Sequence, residues 1–429
     1  MLHVEDLQIE AELLPLFNFT HSAEAEAAVC RLLYELPPTA ALVVEKQDIL
    51  RGFLANWSVL ENFSYPKIQL REVRAFLQDV SSGRITLEVN RLRASVTMLL
   101  SEEARYQSRA RYVQVIQFLH RLQQHYLHKL DPQAFPVGFR PQLLVLVRFM
   151  ERFSLEDANR AIQEDSFSTA LMVRFAQQLQ AVGPEIIAEF WEAFHLFEAY
   201  WSIAKGIQLH ALTFPNFREE GLLLEDFYHP LLKAPVTNTL ILSPTENVVV
   251  LTGPNMSGKS TLLKAVGVCV YLAHAGIGVP AVRCSLPFFH SILIAINLRD
   301  SLRDGYSHFM AEIQNLKSVL HAAHGVGRTF AIFDELFRGT NVDDALEITS
   351  ATVRGLAGFH HSSFLVSTHL LQLEKQLPED NGISTYCIEC VLQDGLPVFS
   401  YRLQRGWSSL KIGKLLFERE GLNSLLEPR

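Results

Sequence analysis

The sequence has little that would suit a membrane, an oxidising compartment or indiscriminate coating of nucleic acid. Its most hydrophobic window, Ala265 to Val282, is broken by His274, Gly276, Gly278 and Pro280, which leaves no apolar run of spanning length. The opening residues, Met1-Leu2-His3-Val4-Glu5-Asp6, are acidic and lack the basic-then-apolar order of an export signal. Cysteine is sparse: Cys30, Cys269, Cys284, Cys387 and Cys390 are scattered and odd in number, which argues against a disulfide framework and for a reducing compartment. A cytoplasmic location is the expectation. Positive charge is not in excess, since 38 Lys and Arg face 46 Asp and Glu for a net charge of -8. Contact with nucleic acid must therefore be focused on a local basic stripe. With 48% hydrophobic residues in 429, the chain has the material for two or three domains with their own cores.

Glycine and proline are thin in the first half. From Asp6 to about Gly206 apolar residues recur at three and four, as at Leu70, Val73, Phe76, Leu77 and Val80, which predicts a mostly α-helical domain over residues 1–215. Breaks fall at Pro37-Pro38, at Ser81-Ser82-Gly83 and from Asp131-Pro132 to Pro141. Between the last two lies a nearly uninterrupted helical stretch from about Ile85 to Leu130, which at 1.5 Å per residue would extend roughly 60–70 Å, like a lever. It carries Arg91, Arg93, Arg105, Arg109 and Arg111, then His120, Arg121, His125, His128 and Lys129. Such a concentration either tracks a phosphate backbone or forms a solvated face interleaved with Glu88, Glu102 and Glu103. Its histidines have no recognisable metal spacing.

At Phe214-Pro215-Asn216 the helical period ends, and short apolar runs alternate with helices, predicting an α/β domain over residues 216–429. Its centre is Val248-Val249-Val250-Leu251, a buried strand that stops at Thr252-Gly253. Directly after it, Gly253-Pro254-Asn255-Met256-Ser257-Gly258-Lys259-Ser260 fits the phosphate-loop pattern G-x-x-x-x-G-K-[ST] at every position. The spacing serves the chemistry. Glycines let backbone N–H groups curl round phosphates, and the helix opened by Thr261 points its positive end at them. Lys259 would reach the β- and γ-phosphates of a nucleotide, and Ser260 would ligate Mg²⁺.

A second strand, Thr329 to Phe333, presents Asp334 and Glu335 at its carboxyl end. Asp334 suits the Mg²⁺ and Glu335 the attacking water, which it would orient and deprotonate. A third, Ser363 to Val366, ends in Ser367-Thr368-His369, where His369 could touch the γ-phosphate. Cys387-Ile388-Glu389-Cys390 has no second cysteine pair to complete a metal site, and with Asp394-Gly395 it reads as part of a β-hairpin.

With these residues in place, the second half resembles the ATPase domain of the MutS family of DNA mismatch repair proteins, a branch of the ABC-type ATPases. Thr252 to Thr261, then Gly278-Val279-Pro280-Ala281, look like the family's phosphate loop and following loop; Asp334 to Asn341, with Asp344, is similar to its Walker B and D-loop. Asp300-Ser301-Leu302 and Gly305 to Glu312 look like its signature segment, and His229-Pro230 with Asn238 like the lead-in to the domain. Leu16 to Ser22 looks, more loosely, like the opening of the family's helical core.

The resemblance implies an α-helical lever domain followed by an α/β phosphate-loop (ABC-type) ATPase domain, with ATP and Mg²⁺ as cofactors. It further implies a homodimer in which Ser307 completes the partner's nucleotide site. Departures accompany it. On this reading residues 1–5 leave no room for the family's mismatch-reading and connector domains, and the Phe-x-Glu of its mismatch wedge is met at Phe149, Phe190 and Phe217, far from the start. Pro235 stands where many relatives place an aromatic that stacks on adenine, and Tyr306 and His308 replace more usual signature residues. The expected function is a nucleotide-controlled dimeric ATPase that binds branched or duplex DNA in repair or recombination, with a repair protein as a further partner. The rival is an ATP-gated interaction protein that touches no DNA, for which the acidic net charge speaks. A transporter-type subunit is disfavoured, because the signature reads Ser307-His308-Phe309-Met310 rather than Leu-Ser-Gly-Gly-Gln.

Overall fold

A computed structural model describes residues 2–89, 102–254, 256–296, 308–337, 340–377, 382–393 and 396–408, with isolated positions beyond. The chain forms two compact units, one of Met1–Leu16, Leu33–Val44 and Leu209–Arg429, the other of Phe17–Leu32 and Glu45–Gln208. The first is α/β and the second helical. Among the described residues no helix is long and apolar enough to cross a membrane.

The strands are β1 (Leu2–His3), β2 (Asn216–Phe217), β3 (Leu222–Phe227), β4 (Asn238–Leu242), β5 (Val248–Thr252), β6 (Arg283–Leu286), β7 (Ser291–Ala295), β8 (Thr329–Asp334), β9 (Ser363–Thr368), β10 (Ile383–Gln393) and β11 (Leu396–Arg405). Seven of them make one sheet in the order β1-β7-β8-β9-β5-β10-β11, parallel except for the β10–β11 hairpin; β2-β6-β3-β4 make a second. β5 and β9 are buried at every position, as expected of strands covered on both faces. Val248 and Val250 pack with Val353 and Leu356 of the helix Val342–Ala357. On the other face the helix Lys259–His274 comes so close that a Cβ on Gly267 would lie 3.0 Å from Ile294 Cδ1 and 3.5 Å from Ile332 Cδ1. Only glycine fits there without displacement.

The first sixteen residues fold with the α/β unit, not with the helical half in which the sequence pattern places them. Leu2 and His3 pair with Ile292 and Leu293, and the Asp6 carboxylate accepts the Ile296 N–H at 2.7 Å. A two-residue edge strand is too short for periodicity to reveal.

The helical unit is built on Pro184–Leu209, whose Phe190, Phe194 and Trp201 are buried. Its one fully buried carboxylate among the core residues, Glu198, accepts from the His21 N–H at 2.6 Å and the Tyr65 hydroxyl at 2.5 Å. The expectation of one helix from Ile85 to Leu130 is corrected. Ile85 to Val89 is not helical, because Gly83 at φ +74° closes the preceding helix and the Ile85 N–H bonds back to Asp79. The described helix runs Glu102–Arg121, about 30 Å, and continues through a π turn at Leu122–Tyr126 and a 3-10 turn at Leu127–Lys129. Arg91 and Arg93 lie outside the described residues, as does the Arg105 side chain.

Candidate active site

Register alone brings three strand ends together. Thr252 of β5 is level with Thr368 of β9, and Ser367 of β9 with Asp334 of β8, so the residues after each strand emerge at one edge of the sheet. After β5 the chain turns through Gly253 (φ +154°), Met256 (φ +70°) and Gly258 (φ +92°) into the helix Lys259–His274. Asn255 lies outside the described residues. That helix has no acidic residue in its first turn, so its positive end is not neutralised by its own side chains.

Lys259 is buried, with Nζ donating to the carbonyls of Gly253 at 2.8 Å and Pro254 at 3.2 Å. Its ammonium is 3.9 Å from Glu335 Oε1. The loop is thus folded round its own lysine, which would exchange carbonyl partners for phosphate oxygens. Ser260 Oγ donates to Asp334 Oδ2 at 2.5 Å, and Ser367 Oγ donates to Asp334 Oδ1. The Glu335 N–H donates to Ser367 O and Oγ, each at 3.1 Å, while Glu335 and Phe337 occupy left-handed backbone, φ +56° and +64°. That turn after β8 aims the Glu335 carboxylate at Lys259 instead of continuing the strand.

Ser260 and Asp334 offer one hydroxyl and one carboxylate side by side, a hard oxygen pair that suits Mg²⁺. Among the described residues no group of three or more His, Cys, Asp or Glu could hold a metal. A Mg²⁺ site completed by phosphate oxygens and water needs no such group. His369 follows β9 at the same edge with its side chain exposed, and its carbonyl accepts the Leu371 N–H at 3.0 Å. Thr261 is exposed at the helix start, and Ser257 Oγ is buried with no hydrogen-bond partner among the described residues. Ser307 lies outside the described residues.

Beside the loop opens a cavity of about 350 Å³ lined by Ser257, Gly258, Thr261, His229, Asn238 and Tyr401, with apolar neighbours. In the sequence Tyr401 belongs only to the hairpin run Val398-Phe399-Ser400-Tyr401, with no binding role attached to it. It has left-handed backbone (φ +56°), and its ring comes within 3.2 Å of where a Cβ on Gly258 would stand. The Asn238 side chain fixes this strand, donating to Tyr401 O at 3.0 Å and accepting the Leu403 N–H at 2.7 Å. The register shift between Ile388 and Cys390 belongs to the same hairpin. The only signal in the sequence is the Asn238 position, which the lead-in motif marks without naming its partner. His229 is buried in the cavity wall, and burial lowers its pKa, leaving a neutral ring.

In the helical unit, Arg109 bonds Asp165 Oδ1 at 2.6 Å, the Arg111 guanidinium lies 6.0 Å from the Phe76 ring centre, and His120 meets Glu156 at 3.1 Å. Arg121, His125, His128 and Lys129 are exposed. Cys387 and Cys390 stand on β10 opposite Gln404 and Phe399 of β11, in a hairpin.

Residues 249–417 match the family model of MutS domain V. Over 293 residues the chain is 27% identical to the DNA mismatch repair protein MutS of Lysinibacillus sphaericus, an alignment covering 62% of this chain and 34% of that protein. The chain therefore spans about a third of the length of the curated relative it matches. The resemblance read from the motifs is to the MutS family.

Proposed function

We infer that this MutS-like chain binds ATP with Mg²⁺ and hydrolyses it, and that the site just described is where it does so. The observation that carries the reading is the meeting of Lys259, Ser260, Asp334 and Glu335 at one sheet edge, from segments some seventy residues apart. Phosphoryl transfer asks a protein mainly for positioning and for charge stabilisation. The backbone N–H groups between Gly253 and Thr261, those of Asn255 and Met256 among them and Pro254 excepted because it has none, wrap the phosphates; Lys259 neutralises the β- and γ-phosphates. Ser260 and Asp334 hold Mg²⁺, which when bound offsets the charge developing on the leaving phosphate. Glu335 takes the proton of the attacking water, and His369 contacts the γ-phosphate. The cavity under Tyr401 receives the base, with the ring as its stacking surface. The test is Mg²⁺-dependent ATP hydrolysis with Glu335→Gln: nucleotide binding persists and turnover is lost. Unchanged turnover would remove Glu335 as the base.

The same reading makes the protein a homodimer whose Ser307 completes the neighbour's site. Mixing inactive Lys259→Ala chains with inactive Ser307→Arg chains places one intact site in each heterodimer, and activity should return. No recovery, together with monomers in ultracentrifugation, counts against the dimer. The helical unit is assigned to DNA, duplex or branched, contacted through phosphates and coupled to the nucleotide state, in repair or recombination and with a repair protein as a further partner. A second reading, an ATP-gated interaction dimer that binds no DNA, is favoured by the ion pair that already occupies Arg109 and by the net charge of -8. Gel binding to duplex, forked and four-way DNA separates the two.

A further inference from the structure

Away from the phosphate loop, the helical unit has a cavity of about 340 Å³ lined by Lys67, Arg71 and Arg74 on one side and by His21, Ser22 and Glu24 on the other. The three cations occupy one face of the helix Lys67–Ser81, spaced by four and then three residues. Like charges so stacked repel one another, and nothing in the helix's first turn relieves them: it contains no acid, and the N-cap is Pro66, which supplies no side-chain cap. Lys67 stands at the positive end of its helix, the reverse of the usual arrangement.

Glu24 is the one carboxylate among the described residues that line the cavity; the buried Glu198 lies behind the wall, engaged with His21 and Ser22. Glu24 pairs with Arg74 Nη1, and Arg74 Nε remains buried with no acceptor among the described residues. Behind it His195, 8% exposed, has neither ring nitrogen hydrogen-bonded among the described residues, and burial, aided by the Arg74 charge, lowers its pKa so that it stays neutral. Lys67 and Arg71 are exposed at the cavity wall. Among the lining residues three cations face one carboxylate, while Glu198 is turned to His21 and Ser22, so positive charge is in excess around a space large enough for a tetrahedral oxyanion and its substituent.

We propose that the cavity bounded by Lys67, Arg71 and Arg74 is a binding site for a doubly charged phosphate group, separate from the phosphate loop. Two guanidinium groups and an ammonium match phosphate oxygens in geometry as well as charge. The charge balance favours a dianion over the single charge of a backbone diester. Free phosphate and a terminal phosphate monoester, such as the 5′-phosphate of a nucleic acid strand, share this chemistry.

The test is calorimetric titration of the full chain, with Lys259→Ala in every arm so that the phosphate loop does not compete. The probes are inorganic phosphate, a 5′-phosphorylated oligonucleotide and the same oligonucleotide with a 5′-hydroxyl. Lys67→Gln with Arg71→Gln should weaken phosphate binding about tenfold or more, and the charge-preserving pair Lys67→Arg with Arg71→Lys should retain it. Both side chains are exposed, so the fold should survive, and the melting temperature checks that it does. Loss of affinity for phosphate and for the phosphorylated strand, with the hydroxyl strand unaffected, identifies a strand end as the ligand. Loss for inorganic phosphate alone identifies the free anion. Phosphate affinity unchanged by the double substitution overturns the site, and equal losses for both oligonucleotides overturn the dianion assignment. The ATPase reading is decided by Glu335 and Lys259, so either can fail without the other.

Discussion

Ser260 Oγ and Asp334 Oδ2 are 2.5 Å apart although 74 residues separate them in the chain. The first opens the helix after β5 and the second ends β8, and β9 lies between these strands and supplies Ser367, which donates to the other oxygen of the same carboxylate. The contact ties the ends of three strands at the point where a cation would be held.

Removing the hydroxyl should therefore have two effects. In nucleotide-free protein, Ser260→Ala deletes a hydrogen bond to a charged acceptor; because Ser260 is exposed the loss is about 1 kcal/mol, lowering the melting temperature by about 2–4 °C. The larger effect is on ligation: the rise in melting temperature produced by Mg²⁺ and ATP in the parent should be much smaller in the variant. Thermal unfolding with and without both ligands measures the two effects, and a full Mg²⁺-dependent rise in Ser260→Ala would argue against its role.

Glu335→Gln should reduce the hydrolysis rate by about 10²- to 10⁴-fold, the usual contribution of a positioned general base. Its effect on ATP affinity should be small, because the amide keeps the shape of the side chain. Single-turnover hydrolysis alongside equilibrium nucleotide binding distinguishes lost chemistry from lost binding.

Tyr401→Ala should weaken ATP binding by about tenfold, since ring stacking contributes about 0.5–1.5 kcal/mol beyond the area covered. Inorganic triphosphate, which has no base, should bind parent and variant alike. Equal losses for both ligands would show that Tyr401 supports Gly258 and the loop rather than the base.

The pH dependence of stability should carry the mark of His274. Its Nδ1–H donates to Val270 O and its Nε2 accepts the Phe289 N–H, each at 2.8 Å, so the neutral ring is satisfied while burial pushes its pKa from 6.5 to about 4. The unfolded chain binds the proton more readily, so stability rises with pH. The contribution is complete above about pH 6.5 and is lost as pH falls towards 4, amounting to about 3 kcal/mol. Denaturant unfolding between pH 4 and 7 should show this decline, and His274→Gln should flatten it.

DNA binding through phosphates should be salt-sensitive, with a slope of log affinity against log salt of roughly -3 to -5 for three to five contacts. Phosphate contacts carry no base information, so a single mismatch should not change it. Substituting Arg105, Arg109 and Arg111 with Glu should abolish binding and leave basal ATPase intact. Because Arg109 is paired with Asp165, part of any change from that position will come from the broken pair, and Arg111→Glu alone is the cleaner measurement. A several-fold mismatch preference would contradict a backbone-only contact.

Much of the candidate site was legible in the chain because its residues fall in short local patterns. Gly253 to Ser260 are contiguous, and an apolar run ending in Asp334-Glu335 marks a strand end wherever the strand lies in the sheet. Periodicity likewise identified the helical half. It failed at Ile85 to Val89, where spacing continues but Gly83 has already turned the chain, and at Leu2–His3, where two residues are too few to show a period.

What the sequence by itself determined is the inventory: a loop able to cradle phosphates, two acids after a strand, a histidine after another, and the turn from helical to strand-forming text near Pro215. What only the tertiary structure decided is adjacency. The order β8-β9-β5 places Asp334 against Ser260, a left-handed turn at Glu335 directs its carboxylate to Lys259, and a shifted hairpin held by Asn238 sets Tyr401 over Gly258. The physical reason is that local propensity acts over a few residues, whereas these contacts depend on strand order and register, which are fixed by burying both faces of the sheet at once.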